Sequence, residues 1–145
     1  MGTVSEILAT KGSHVLTIGA GAIVMDAALL MNEHKVGSLV VTEGSRPIGI
    51  FTERDILQRV VALRRDPATT RVADVMTAEL ACCRPETTIE EARGAMKNRR
   101  IRHLPVVDSD RRLLGLVSIG DLNAYHLDSQ EQTIHLMNEY IHGRV

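Results

Sequence analysis

The chain is one unit written twice, and this duplication restricts its fold more than any other feature of the sequence. Val24-Met25-Asp26-Ala27-Ala28-Leu29-Leu30-Met31 lies over Ile89-Glu90-Glu91-Ala92-Arg93-Gly94-Ala95-Met96 at an offset of 65 (89 − 24). The same offset, without a gap, puts Leu39-Val40-Val41 on Leu104-Pro105-Val106. One inserted residue raises the offset to 66 (115 − 49), and the stretch Gly49 to Ile56 then falls on Gly115 to Leu122. Upstream, Val4-Ser5-Glu6-Ile7-Leu8 matches Val72-Ala73-Asp74-Val75-Met76, and the copies join near Arg64 to Arg71. With 145 residues, 44% of them hydrophobic, two small halves can share a real apolar core.

Each copy has the same coarse pattern. Val15 to Ile18 and Leu80 to Cys83 are short strand candidates, and Val24 to Glu33 and Ile89 to Asn98 carry apolar residues at helical spacing. Thr88 with Glu91 three residues on predicts a capping box at the second helix. Ser38 to Thr42 and His103 to Val107 read as strands, each followed by a polar turn, Glu43 to Pro47 and Asp108 to Arg112. Ile48 to Phe51 and Leu113 to Val117 complete the hairpins, and a helix follows from Thr52 or Ser118. The expected fold is mixed α/β (α+β): two tandem βαββα repeats related by a pseudo-twofold, packed sheet against sheet. The expected divisions are 1–66, 67–128 and a C-terminal helix over 129–145. Leu127, Ile134 and Ile141 recur every seven residues there, as one apolar seam.

Two sets of residues carry candidate chemistry. Gly-x-x-Thr/Ser-x-x-Asp occurs twice, as Gly49, Thr52, Asp55 and as Gly115, Ser118, Asp121. One reading is structural: a capping box behind a turn-permissive glycine. The other is functional, because free N–H groups at a helix start attract phosphate and a carboxylate one turn in accepts both hydroxyls of a ribose. One residue pair can serve both ends. The second set is Lys97, Arg99, Arg100, Arg102 and His103. A solvated helix end explains Lys97 and Arg99. Arg102 and His103 continue into a strand entrance, where they are expected to face the same cleft as Ser118 and Asp121. Arginine suits bidentate phosphate recognition, and Arg54 is placed to add a phosphate contact from the other half. The matching stretch of the first copy, His34 to Ser38, has fewer cations, so two clefts would differ in charge. With Phe51, Tyr125 and Tyr140 as the only aromatics, an adenine ring would lie between aliphatic side chains such as Ile18, Val36, Ile50 or Ile101.

Composition removes several alternatives. A net charge of −1 and the scarcity of aromatics disfavour nucleic-acid binding. No apolar run approaches the ~20 residues of a membrane span, and the opening stretch Met1 to Glu6 has no signal-peptide pattern, so the expected compartment is the cytoplasm. Cys82 and Cys83 are adjacent and lack the partner pair a zinc site needs; His135 and His142 stand seven apart, too far for one ion. No catalytic triad is suggested by spacing, so neither an enzyme nor a metal site is expected.

Gly49-Ile-Phe-Thr-Glu-Arg-Asp55, Gly115-Leu-Val-Ser-Ile-Gly-Asp121, Val72-Ala-Asp-Val-Met76 and Arg100-Ile-Arg-His-Leu-Pro-Val-Val107 together resemble the cystathionine-β-synthase (CBS) domain pair, or Bateman module, over nearly the whole chain. The resemblance implies a pseudo-twofold disc with two clefts, often paired as a homodimer. Implied ligands are AMP, ADP, ATP, S-adenosylmethionine and NAD(H), and the closing stretch resembles small members for which AMP or NAD(H) is favoured. By position, Thr52, Asp55, Ser118 and Asp121 would bind ribose and phosphate. Thr17, Ile18, Gly37, Ser38, Cys83, Ile101, His103 and Pro105 would surround the base, with Arg54, Arg100 and Arg102 near phosphates. The first copy departs from the His-Leu-Pro pattern with Ser38-Leu39-Val40. Without a catalytic domain of its own, such a sensor passes its output to a separate effector protein.

Overall fold

A computed structural model describes residues 2–126. The predicted helix over 129–145, with its seam and His135 and His142, lies outside the described residues. The order is α1 (Val4–Lys11), β1 (Thr17–Gly19), α2 (Val24–His34), β2 (Ser38–Glu43) and β3 (Arg46–Thr52). Then come α3 (Glu53–Asp55), running on as a π-helical segment Ile56–Val61, α4 (Val72–Val75), α5 (Ile89–Arg99), β4 (His103–Val107) and β5 (Leu113–Ser118). A last helix, α6, starts at 119 and is described through 126.

One sheet has the order β1-β2-β3, with β1 parallel and β3 antiparallel to β2; the other is the antiparallel pair β4-β5. The repeat persists down to its irregularities. Each hairpin carries a bulge, between Val41 and Thr42 and between Val106 and Val107. Helices α2 and α5 both end on a non-glycine residue in the left-handed conformation, Lys35 (φ 54°) and Arg100 (φ 55°). In each case the next N–H reaches back five residues, Val36 to Met31 O and Ile101 to Met96 O, which closes the helix in a Schellman-type turn. The Thr88–Glu91 capping box forms as the spacing predicts, with both bonds at 3.0 Å.

The strand expected over Leu80 to Cys83 is reduced to a single bridge between Cys83 and Val106. The reason is chemical. In the first half Val40 N–H donates to Leu16 O at 3.2 Å, extending the β1–β2 ladder. The corresponding donor in the second half would be Pro105, which has no N–H. On the far side the next donor facing β4 would be Pro85, which also has no N–H, so the ladder stops there too.

Two separate clusters form, and each is closed by a helix from the other half. Val4 and Ile7 of α1 pack with Ile89, Ala92, Met96, Leu104, Val117 and Leu122 of the second half. Val72 and Val75 of α4 pack with Val24, Ala27, Leu39, Val41 and Phe51 of the first. Backbone bonds anchor the exchange in pairs related by the pseudo-twofold: Val4 N to Thr87 O (2.8 Å) matches Val72 N to Ala22 O (2.8 Å). Likewise Ile89 N to Gly2 O (3.0 Å) matches Val24 N to Thr70 O (2.9 Å). The linker thus caps α2, whose N-cap residue Ile23 offers no side-chain acceptor. Sequence reading did not foresee helix α1, because its role depends on a surface supplied by the other repeat.

This exchange gives Gly49 and Gly115 a different purpose from the turn expected of them. Both sit inside strands, β3 and β5, and neither has a positive φ. A Cβ on Gly49 would stand 2.6 Å from Met76 Sδ and 2.9 Å from Thr77 O; on Gly115 it would stand 2.7 Å from Leu8 Cδ2. Each glycine is the place where the visiting segment touches the sheet.

Candidate functional site

Where the first half meets the second, a cleft of about 380 Å³ opens at the end of β3. One wall comes from the first repeat: Gly37, Ile50, Thr52, Glu53, Arg54 and Asp55. The other comes from the second: Thr77, Glu79, Leu80 and Ala81 after α4, and Arg100, Ile101, Arg102 and His103 after α5. Eight expected site residues therefore meet in one place: Gly37, Thr52, Arg54, Asp55, Arg100, Ile101, Arg102 and His103. Ser38 stands at its margin, with Oγ 3.5 Å from His103 Nε2. Ile50 and Ile101 are the expected aliphatic residues that line it; Ile18 instead packs against the core of the first half and Val36 lines a separate, shallow groove.

Other expectations are redistributed. Arg102 and His103 line the cleft of Thr52 and Asp55, and they also lie beside the second motif, with His103 paired to Ser118 across the hairpin and Arg102 next to Ile119 in a separate groove. Thr17, Ile18, Cys83, Pro105, Ser118 and Asp121 do not line this cleft. Cys83 and Pro105 are buried, and burial pushes the Cys83 thiol up to about 12, with its neighbour Cys82 adding to the effect. Such a thiol is inert near neutral pH. Thr77, Glu79, Leu80, Ala81 and Glu53 were missed. Their signal was their place just after the second copy's leading segment, which matters only once that segment crosses to the first sheet.

Both motif carboxylates are turned onto their own helix starts. Asp55 Oδ2 accepts from Thr52 N–H (3.0 Å) and Thr52 Oγ1–H (3.2 Å), while Asp55 N–H donates to Thr52 Oγ1 (3.2 Å). Its Oδ1 faces the Thr77 hydroxyl at 3.4 Å and Arg59 Nε at 3.7 Å. Arg59 also donates to Met76 O at 2.8 Å, so it ties the exchanged helix to the carboxylate. Asp55 lines the cleft even so, with 8% of its side chain exposed. The capping reading and the cleft reading hold for the same residue.

Asp121 is held differently. Its Oδ2 accepts from Ser118 N–H (2.8 Å) and from Lys11 Nζ (2.7 Å). Burial opposes its ionisation, but the Lys11 ammonium and the Ser118 amide outweigh this and keep the carboxyl below the usual carboxylate range. His103 is pulled the other way by its surroundings: burial first, then the Arg102 charge, lower its pKa below the ordinary histidine value. The imidazole is therefore neutral at pH 7. Three guanidinium groups, Arg54, Arg100 and Arg102, thus line a cleft whose acidic members are Glu53, Asp55 and Glu79. Such a site can hold a phosphate at one end and a hydroxyl pair at the other. Among the described residues, no group of three or more His, Cys, Asp or Glu is placed to hold a metal ion.

Comparison with known proteins agrees with this division of the chain. The CBS domain profile matches residues 4–62 and again 72–128. The CBS domain-containing protein YhcV of Bacillus subtilis (strain 168) is 34% identical over 134 residues, 92% of this chain and 94% of that protein. The mitochondrial CBS domain-containing protein CBSX3 of Arabidopsis thaliana is 35% identical over 150 residues, covering 97% of this chain and 72% of the relative. Among solved structures, the CBS domain protein PAE2072 from Pyrobaculum aerophilum, complexed with AMP, superposes with a TM-score of 0.74 at 27% identity. It covers 82% of this chain and 88% of that one.

Proposed function

The chain belongs to the CBS-domain family as a tandem pair of repeats, and from that premise we propose that it is a regulatory sensor of an adenosine nucleotide. The observation that carries the proposal is the single cleft that joins Thr52, Asp55 and Arg54 of one repeat to Arg100, Ile101, Arg102 and His103 of the other. In this reading the ribose diol approaches Asp55 and displaces the Thr77 hydroxyl, the longest of the carboxylate's hydrogen bonds at 3.4 Å. The phosphate lies among Arg54, Arg100 and Arg102. The base lies between Ile50 and Ile101, beside Gly37, where a side chain would crowd Glu53. Ala81 also lines the cleft, and its carbonyl is without the ladder donor that Pro105 cannot supply, so a backbone acceptor is offered to the base edge. The AMP held by the Pyrobaculum relative supports an adenosine ligand; AMP, ADP, ATP and NAD(H) share the ribose and base contacts.

Ligand bound across two repeats favours one packing of the halves over another, and that shift is the signal. The protein acts by binding rather than by turnover and passes the signal to a separate effector protein. Homodimerisation is part of the proposal. It is supported by Met25 and Leu29 on α2 and Leu57, Val61 and Leu63 on and after the π-helical segment, which are exposed although apolar. No described helix is long and apolar enough to cross a membrane, and we place the protein in the cytoplasm. A second reading, a dimerisation scaffold that binds no nucleotide, rests on the same exposed apolar residues.

A melting screen over AMP, ADP, ATP, NAD, NADH and S-adenosylmethionine separates the two. At 100 times its dissociation constant a ligand of the native state adds about 2.7 kcal/mol, several degrees of melting temperature. Asp55→Asn, which keeps a capping oxygen, is expected to lose most of that shift. A flat screen with every nucleotide rejects the sensor and leaves the scaffold.

A further inference from the structure

The open cleft has a repeat-related counterpart, and the same correspondence shows what fills it. Ile50, Asp55 and Glu79 line the open cleft. By sequence offset their counterparts in the other copy are Leu116 (116 − 50 = 66), Asp121 (121 − 55 = 66) and Lys11 (79 − 11 = 68, the offset that relates Val4 to Val72), although Lys11 ends a helix whereas Glu79 follows an extended segment bridged at Thr77 to Ile50. These three residues are bonded to one another: Lys11 Nζ donates to Leu116 O at 2.9 Å and to Asp121 Oδ2 at 2.7 Å. The lysine is the last residue of α1, the helix that crosses from the first half to pack on β5. Its ammonium therefore sits among the residues that in the other cleft surround open space.

We propose that Lys11 is a built-in plug, an intramolecular cation that occupies the second cleft and leaves the chain with one nucleotide site instead of two. This rests on the nucleotide reading of the first cleft. The physical cause is a charge reversal at one repeat position. A lysine there neutralises the Asp121 carboxylate through Oδ2 and adds a side chain where the sugar would lie. The residue at the same sequence offset in the first copy, Glu79, is an acid like Asp55 and offers it no ion pair. The cleft at Asp55 stays open for that reason, although both copies carry the same Thr/Ser-x-x-Asp element. The sequence alone points the other way, since the His-Leu-Pro pattern and the extra cations belong to the second copy.

The test is the stoichiometry of AMP binding by isothermal titration calorimetry on the full chain, with the carboxyl pKa of Asp121 followed by carbon NMR. Wild type is expected to take one AMP per chain. Lys11→Ala is expected to take two, with the Asp121 carboxyl titrating at higher pH than in wild type. Lys11→Met retains the packing of the stem and gives the same result if the alanine variant folds poorly. The reciprocal change, Glu79→Lys, is expected to weaken AMP binding at the first cleft at least tenfold. Two AMP per wild-type chain overturn the plug and leave the sensor intact. One AMP per chain in the Lys11 variants, with the Asp121 shift observed, also overturns it, since the lysine then leaves without opening a site. No AMP on wild type or variants overturns the nucleotide reading and the plug with it.

Discussion

Gly49→Ala tests the exchange of leading segments on which the cleft depends. Gly49 lies in β3 with an ordinary strand φ, so alanine there would by itself stabilise the chain by about 0.4–1 kcal/mol through the unfolded state. The visiting segment reverses the sign. The new methyl would stand 2.6 Å from Met76 Sδ, which can rotate away, and 2.9 Å from Thr77 O, which cannot. Thr77 O accepts from Ile50 N–H at 3.0 Å and Thr77 N–H donates to Ile50 O at 2.9 Å, so moving the carbonyl breaks both bonds. Overpacking of this kind costs about 1–3 kcal/mol, and each strained hydrogen bond adds about 1 kcal/mol. Less the entropic gain, the net loss is about 2–5 kcal/mol, a fall of roughly 6–18 °C in melting temperature for a chain of this size. Gly115→Ala is the internal control. Its methyl meets only the branched end of Leu8, at 2.7 and 3.1 Å, and the side chain can give way. The expected loss there is at most about 1 kcal/mol, within ~4 °C. Differential scanning calorimetry of the two variants side by side decides the matter. Equal melting temperatures, or a larger drop for Gly115→Ala, would refute the claim that the Thr77 backbone rests on Gly49.

Two further outcomes are accessible to the same instrument. His103 has its pKa lowered in the folded chain by burial and by Arg102, so the unfolded chain binds the proton more readily. Its contribution to stability is therefore present above the unfolded value of about 6.5 and is lost as pH falls from there through the folded pKa. Wild type is expected to lose stability over that window and His103→Gln to show a flatter profile; parallel profiles would show that His103 is not the titrating group. Lys35 closes α2 at φ 54° with its side chain exposed, and it does not line the 380 Å³ cleft. Lys35→Gly removes the left-handed penalty and is expected to raise stability by up to about 1 kcal/mol without changing AMP affinity. A lower melting temperature would mean the lysine stem contributes packing that its exposure does not suggest.

Much of the architecture was legible because it is periodic. Helices α2 and α5, strands β2 to β5 and the two Thr/Ser-x-x-Asp starts follow from apolar spacing and capping chemistry, which are local properties. The capping role of Thr52 and Asp55 could be read from a three-residue interval alone. Cys83 shows where local reading fails: its short apolar segment reads as a strand, yet the missing N–H of Pro105, twenty-two residues on, helps cut the ladder to one bridge.

The amino-acid sequence by itself determined that there are two related halves, which elements each contains and which polar side chains stand at the helix starts. It could not determine which half each segment serves. That was decided by tertiary packing, because α1 and α4 are too short to bury an apolar face alone and find one only on the other repeat's sheet. The crossing puts Thr77 to Ala81 beside Asp55 and Lys11 onto Asp121. Two copies of one motif thereby acquire opposite surroundings, a distinction no short window of residues contains.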